Sequence, residues 1–294
     1  MGRVHRALAL ECTYSGRPMD EAVAHGRQAV SLLERTEDRF WLSQALFALS
    51  YCCFYSGDFD SAIEAAAHLD ALGTSTGSRR ARTEAAMMTG LSYATRGDWV
   101  AGIEACERAL ELAPDPFETA AVLACLGKAH AEAGDLARAV PILEQAVHLA
   151  DQVRSLQWRE WFRTLQAEAY FLDGQIDKAQ KVAAHALGVC TDIGYSWGIG
   201  WSHQVLGRIA EAQGTPAESR EHLRNALQSF VSVNARFEMA RTHLFLASLA
   251  YCQGNRGVAA FQLNEARSLF EVLRVPKYKK RAEELSRAQA GTGT

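Results

Sequence analysis

The sequence predicts an all-α fold, an α-solenoid of about seven antiparallel helical hairpins followed by a C-terminal capping helix. Three observations carry this expectation. Seven glycines, Gly16, Gly57, Gly97, Gly134, Gly174, Gly214 and Gly254, recur along the chain at nearly even steps. Each lies between two stretches rich in Ala and Leu. Seven residues before each, the side chain is always small: Ala9, Ser50, Gly90, Gly127, Ala167, Gly207 and Ala247. A fixed period of about 40 residues marks stacked supersecondary units that bury their apolar faces only against one another.

The units are placed at approximately 3–33, 40–72, 81–113, 117–150, 157–190, 197–231 and 236–272. Within a unit the glycine supplies the left-handed residue that ends the first helix. Asp58, Asp98 and Asp135 follow as caps for the second helix, and Thr215 with Pro216 serves the sixth unit. Five and twelve residues after the glycine the second helix is again small, as at Ala62, Gly102, Ala139, Ala179, Ser219 and Ala259. Two antiparallel helices approach closely only where such residues face each other, so these positions mark the crossings. Leu8, Leu49, Leu126, Leu206 and Leu246 fill the space beside them. Phe40, Phe117, Trp197 and Phe237, each seventeen residues before its glycine, lengthen the first helices. GTSTGSRR at 73–80 reads as a flexible joint on which the first two units hinge. After Pro276, KYKKRAEELSRAQA predicts a charged helix over 276–289 that covers the last hairpin, with a disordered tail at 290–294.

The third unit, TGLSYATRGDWVAGIEACERALELAPDP from Thr89 to Pro116, resembles the tetratricopeptide repeat, and the fourth, from Leu123 to Leu149, is similar. The resemblance covers roughly residues 3–270. It implies a right-handed superhelix whose first helices line a concave groove. Units of that family usually run about 34 residues, so the longer period here implies helices about a turn longer. The long variety is similar to the helical arrays of bacterial signalling ATPases, nucleotidyl cyclases and LuxR-type regulators.

Composition fits such a chain. Six prolines in 294 residues and a 48% hydrophobic share supply a continuous helical core. A net charge of -3 offers no global field for nucleic acid or anionic lipid, so neither is expected as a partner. Seven cysteines without metal-type spacing suit a reducing, cytoplasmic compartment, with the thiols acting as small apolar groups. No apolar run reaches membrane-spanning length. The sequence begins almost inside its first hairpin, without a polar cap, which suggests a piece of a longer protein or self-association through that hairpin.

Chemistry-bearing motifs are few. Gly194, Ser196 and Gly198 match the GxSxG pattern, but a nucleophile elbow needs a preceding strand and here a helix precedes. His130, His203 and His243 stand at packing or equivalent positions, and no HExxH or CxxC pair accompanies them. No phosphate-cradling glycine motif is present. No catalytic residue, metal or cofactor is therefore expected.

Function is expected on the inner face. Offsets that the crossings do not use place Arg3, Arg6, Tyr14, Gln44, Phe47, Tyr51, Phe54 and Tyr55 along the first two units. Lys128, Trp161, Glu168, Phe171, Trp201, Gln204, Arg208, Arg241 and Tyr251 follow in the later ones. Trp, Tyr and Arg carry most of the energy at binding surfaces. The chain reads as a non-catalytic module whose groove takes a protein or peptide, or another domain of the same polypeptide. Trp161, Phe171, Trp201, Phe47, Tyr51, Phe54 and Tyr55 would be anchors, and Arg3, Arg6, Arg208 and Arg241 would meet carboxylates. The alternative is a sensor for a small molecule or short peptide.

Overall fold

The computed structural model describes residues 1–152 and 155–290. Among them stand fifteen helices and no strand. The first eight form four hairpins: α1 (Gly2–Ser15) with α2 (Met19–Leu33), α3 (Arg39–Ser56) with α4 (Phe59–Thr76), α5 (Arg79–Arg96) with α6 (Trp99–Leu112), and α7 (Pro116–Ala133) with α8 (Leu136–Ala150). Three more follow: α9 (Leu156–Leu172) with α10 (Ile176–Asp192), α11 (Ser196–Ala212) with α12 (Pro216–Ser232), and α13 (Arg236–Cys252) with α14 (Arg256–Val272), before α15 (Pro276–Ala290). Residues 291–294 of the expected tail lie outside the described residues, and Ala290 belongs to α15.

The crossings sit where small residues face each other. A Cβ on Gly90 would lie 2.5 Å from the Cys106 sulfur and 2.8 Å from the Gly102 carbonyl. One on Gly102 would meet the Ala94 backbone nitrogen at 2.8 Å. Helices α5 and α6 therefore touch backbone to backbone, and any side chain there must push them apart. In the second hairpin Ser50 holds the same place, fully buried, its hydroxyl donating to the Ala62 carbonyl at 2.7 Å.

All seven turn glycines adopt the left-handed conformation, with φ between 73 and 96. The turns between hairpins use it too, at Gly77, Gly194, Asn234 and Arg274. From Gly174 onward the left-handed residues, Gly174, Gly194, Gly214, Asn234, Gly254 and Arg274, are evenly spaced, and each of α10 to α14 is a 17-residue helix. The long unit is thus two nearly equal helices joined by equal turns. The GxSxG stretch is one of these turns: Gly194 is its left-handed residue and Ser196 opens α11. The expected joint at 73–80 is another. Helix α4 runs to Thr76, Gly77 ends it at φ 69, and the Ser78 hydroxyl accepts the Ala81 amide at 3.3 Å to start α5. Glycine and serine serve there as stop and start signals, so the hinge expectation is corrected. The Asp58 and Asp135 carboxylates cap α4 and α8 through the Ser61 and Arg138 amides. Asp98 makes no side-chain capping bond, and the Thr215 hydroxyl donates backward to the Ala210 carbonyl.

The superhelix closes on itself. The turn at Gly16 rests on Ser196, which opens α11; the turn at Gly57 rests on Leu273 and the Phe237 amide of α13; and the turn at Gly97 rests on Lys277 of α15. Gly16 to Ser196, Gly57 to Phe237 and Gly97 to Lys277 are the same distance along the chain, midway between four and five repeats. The Met19 amide donates to the Val233 carbonyl at 3.0 Å and the Asn234 amide group to Asp20 at 2.7 Å. The first hairpin's turn thus docks on later hairpins of the same chain. Helix α15 occupies the place of the first helix of an eighth unit: Lys277 reaches Trp99 at 3.4 Å, and Tyr278 is buried beside Phe237 and Phe270. It covers the last hairpin and also spans to the third and fourth.

Histidine pairs tie the two helices of several hairpins. His5 and His25 share an Nδ1···Nδ1 hydrogen bond of 3.0 Å, His203 and His222 one of 2.8 Å, and His243 meets Gln262 at 2.6 Å. Burial, then the neighbouring His222, pulls His203 from 6.5 down to about 4. Between these values the unfolded chain binds a proton that the folded chain refuses, so stability rises with pH through this window. Urea denaturation at stepped pH is expected to show stability lost as pH falls from about 6.5 toward 4, with a flatter profile for His203→Gln.

Candidate functional site: a chamber inside the closed solenoid

Closure brings the aromatic residues of the inner face together. Tyr55 lies edge-on against Trp197 with ring centroids 4.5 Å apart, and 5.9 Å from Trp201. Tyr51 packs on Trp158 at 5.6 Å, whose indole N–H donates to the Tyr14 hydroxyl at 3.1 Å. Tyr51, Tyr55, Trp161 and Trp201 are all buried, between 2% and 9% exposed. The expectation that they are free anchors on an open groove is corrected: the first hairpins fill the groove opposite the fifth and sixth. Phe54, Trp161, Trp201 and Gln204 border a void of only about 30 Å³. Gln204 donates to the Glu238 carbonyl and, at 2.7 Å, to the Thr242 hydroxyl. Phe47 packs on Tyr51. Near the start of the array Arg3 pairs with Asp38, and Arg6 donates to Gln44 at 3.2 Å, both guanidinium groups lying over Trp41. Tyr251 packs at the far rim against the cluster of Ala247, Leu263 and Ala282.

What remains of the groove is a chamber of about 760 Å³ walled by α7, α9, α11, α13 and α15 and by the starts of α6 and α8. Lys128, Glu168, Arg208 and Arg241 line it, as expected of the inner face. Phe171 lies at its edge beneath Arg208, the guanidinium carbon 4.5 Å from its ring and 4.7 Å from that of Phe245. The floor is a charge network. Glu168 accepts from Arg208 at 2.9 Å and from Arg241, which also bonds Glu238 at 3.1 Å. Lys128 pairs with Glu132 at 3.2 Å, and the Tyr278 hydroxyl donates to the same carboxylate at 2.8 Å.

These groups hold one another in their charged forms. Burial alone would raise Glu168, but Arg241, Arg208 and Lys128 outweigh it and hold the carboxyl at about 2. Burial likewise opposes the charge on Arg241, and Glu168 and Glu238 more than restore it. Arg208 is different. Burial lowers it, its single carboxylate contact among the described residues is Glu168, and it lines the chamber. The arrangement offers donors and apolar wall to a guest. Among the described residues no three His, Cys, Asp or Glu side chains gather as a metal site, and no helix is long and apolar enough to cross a membrane.

Sequence reasoning misses Trp99, Phe245, Tyr278, Arg281, Glu284 and Leu285, which share the chamber wall. Phe245 carries a weak signal, lying beside an inner-face offset. Tyr278 carries none, because its segment reads as a solvated cap.

No family model matches the sequence, and no curated protein does. Solved structures do. The chain is similar to a Rap protein complexed with competence and sporulation factor, at 13% identity over 100% of this chain and 83% of that one, with a TM-score of 0.72. The fold is that of a tetratricopeptide-repeat protein. This solenoid is also similar to Cut9 of the APC/C hetero-tetramer Cut9–Hcn1 (11% identity, 97% of this chain, 52% of that one, TM-score 0.66). A third likeness is to a signal-transduction ATPase with a tetratricopeptide repeat sensor from Pyrococcus horikoshii (14% identity, 88% of this chain, 42% of that one, TM-score 0.53). At these identities the likeness concerns the fold.

Because Trp161 and Trp201 are core residues of the tetratricopeptide solenoid, Trp161→Ala and Trp201→Ala are each expected to cost about 3–5 kcal/mol of stability. Urea unfolding of the two variants measures this. A variant within about 0.5 kcal/mol of wild type would return that tryptophan to the exposed surface.

Proposed function

We propose that the chain is a non-catalytic binding module that takes a segment of a partner protein or peptide into the chamber, as a regulatory part of a larger cytoplasmic signalling assembly. The observation that carries this reading is Arg208: a half-buried guanidinium stacked on two aromatic rings, one donor on Glu168, lining a cavity of about 760 Å³. A guanidinium with one carboxylate partner keeps further donors for a carboxylate of a guest. The volume lies in the range of pre-formed ligand sites, roughly 300–1,000 Å³.

Closure also sets the size of the guest. A long extended chain has no open groove to lie in, because hairpins one and two occupy it. A short segment fits, which moves the reading toward the sensor alternative. The Rap structure holds competence and sporulation factor, and the Pyrococcus ATPase carries its repeats as a sensor; both support a regulatory reading.

A random pool of linear peptides of about twelve residues, passed over the immobilised chain, tests this. Wild type is expected to retain a subset that Arg208→Lys, which keeps a cation beside Glu168 but not the donor fork, loses by about tenfold or more, the scale of one charge-assisted hydrogen bond. Equal retention by both would remove the chamber from the account and move binding to the convex face.

A further inference from the structure

The seam that closes the solenoid is a regular ladder, and the next turn along it is uncovered among the described residues. Three turns, at Gly16, Gly57 and Gly97, are each covered by residues at the start of an inner helix, α11, α13 or α15, at one constant offset along the chain. Ser196 and Lys277 come within 2.6 and 2.5 Å of where a Cβ on Gly16 and Gly97 would stand; at Gly57 the Phe237 amide lies at 3.6 Å, and Leu273 from the end of α14 adds a closer contact at 2.9 Å. The fourth turn, at Gly134, has nothing among the described residues within 4 Å of where a Cβ would stand. That turn is not simply on the outside. Ala133, Gly134 and Leu136 line the chamber opposite Arg281, Glu284 and Leu285 of α15.

We infer that the guest of the chamber is an amphipathic α-helix from a partner protein, docked with its first turn on the Gly134 turn and its axis beside α15, so that it extends the ladder by one rung. The inference rests on the binding reading above and names the form of the guest. Three features specify it. The first is continuity, since every filled socket of the ladder holds a helix start. The second is size: two turns of a helix about 10 Å across occupy roughly 850 Å³, close to the chamber's 760 Å³. The third is chemistry. Leu136, Leu165, Leu172, Leu285 and Phe245 offer an apolar wall, and Arg208 offers unmatched donors. The helix therefore carries an apolar stripe at three- and four-residue spacing with one carboxylate in its second or third turn. The same logic already operates inside the chain, where Arg241 on the second turn of α13 reaches across to Glu168. Here the charges are exchanged, the wall holding the cation.

The test uses the full chain and two pools of synthetic peptides of about 18 residues, both with a randomised apolar stripe and one Glu. In one pool a hydrocarbon staple on the polar face enforces the helix; in the other a central proline forbids it. The stapled pool is expected to be retained at least about tenfold better, to slow amide exchange at 131–136 and in α15, and to be lost on Leu136→Arg but kept on Leu136→Ala. Better or equal retention of the proline pool, with protection in the chamber, leaves the binding reading standing and overturns the helical guest. Helical binding without protection at 131–136 also overturns it, since the ladder is then not continued. Failure of both pools and of the shorter linear peptides sinks the chamber as a binding site and the helix with it.

Discussion

Tyr55 against Trp197 joins the second hairpin to the sixth, and the rest of the molecule depends on that meeting of distant units. Repeat arrays are ordinarily stabilised by nearest-neighbour contacts alone. Here aromatic side chains from both halves share one interior, so the array gains long-range contacts and loses its open groove. Pairs of such rings add about 0.5–1.5 kcal/mol each beyond their buried area, and this interior contains several.

Where Gly90 meets Gly102 two backbones touch, so neighbouring helices pack closely. The turns of the first three hairpins lie under the starts of α11, α13 and α15. The polar groups left inside must then satisfy one another. Glu168, Arg208, Arg241 and Glu238 do so as a network, and a carboxylate shared by two guanidinium groups remains ionised in spite of burial.

Local structure is legible in the sequence because local rules make it. The turn glycines, the small residues at the crossings and the aspartate caps at 58 and 135 each act over a few residues, and each reads directly from spacing. The second set of left-handed turns is harder to see, since Asn234 and Arg274 hold positions that glycine holds elsewhere. The GTSTGSRR segment misleads for a related reason: residues common in flexible linkers also stop and start helices. The site is legible only in part. Offsets from the glycines pick out the inner face well enough to include Lys128, Glu168, Arg208 and Arg241. They do not distinguish the inner residues that meet a neighbour several units away, so Tyr51, Tyr55, Trp161 and Trp201 read as surface. Superhelix curvature is a sum of small angles, and no single residue encodes it. Tyr278 is invisible for the same reason, as its value lies in reaching Glu132 of a distant hairpin.

The central claim is that the solenoid closes on itself, and one crosslink tests it most directly. Cysteines placed at Asp20 and Asn234, whose side chains share a hydrogen bond, would be joined by a short bifunctional thiol reagent in a chain with the exposed Cys252 changed to Ser; the other six native cysteines are buried. Closure predicts rapid, quantitative linkage within single molecules, independent of protein concentration, under conditions where the fold is intact. No linkage, or linkage only between molecules, would mean that the first and last hairpins stand apart, that the groove is open along its length, and that the chamber does not exist as described.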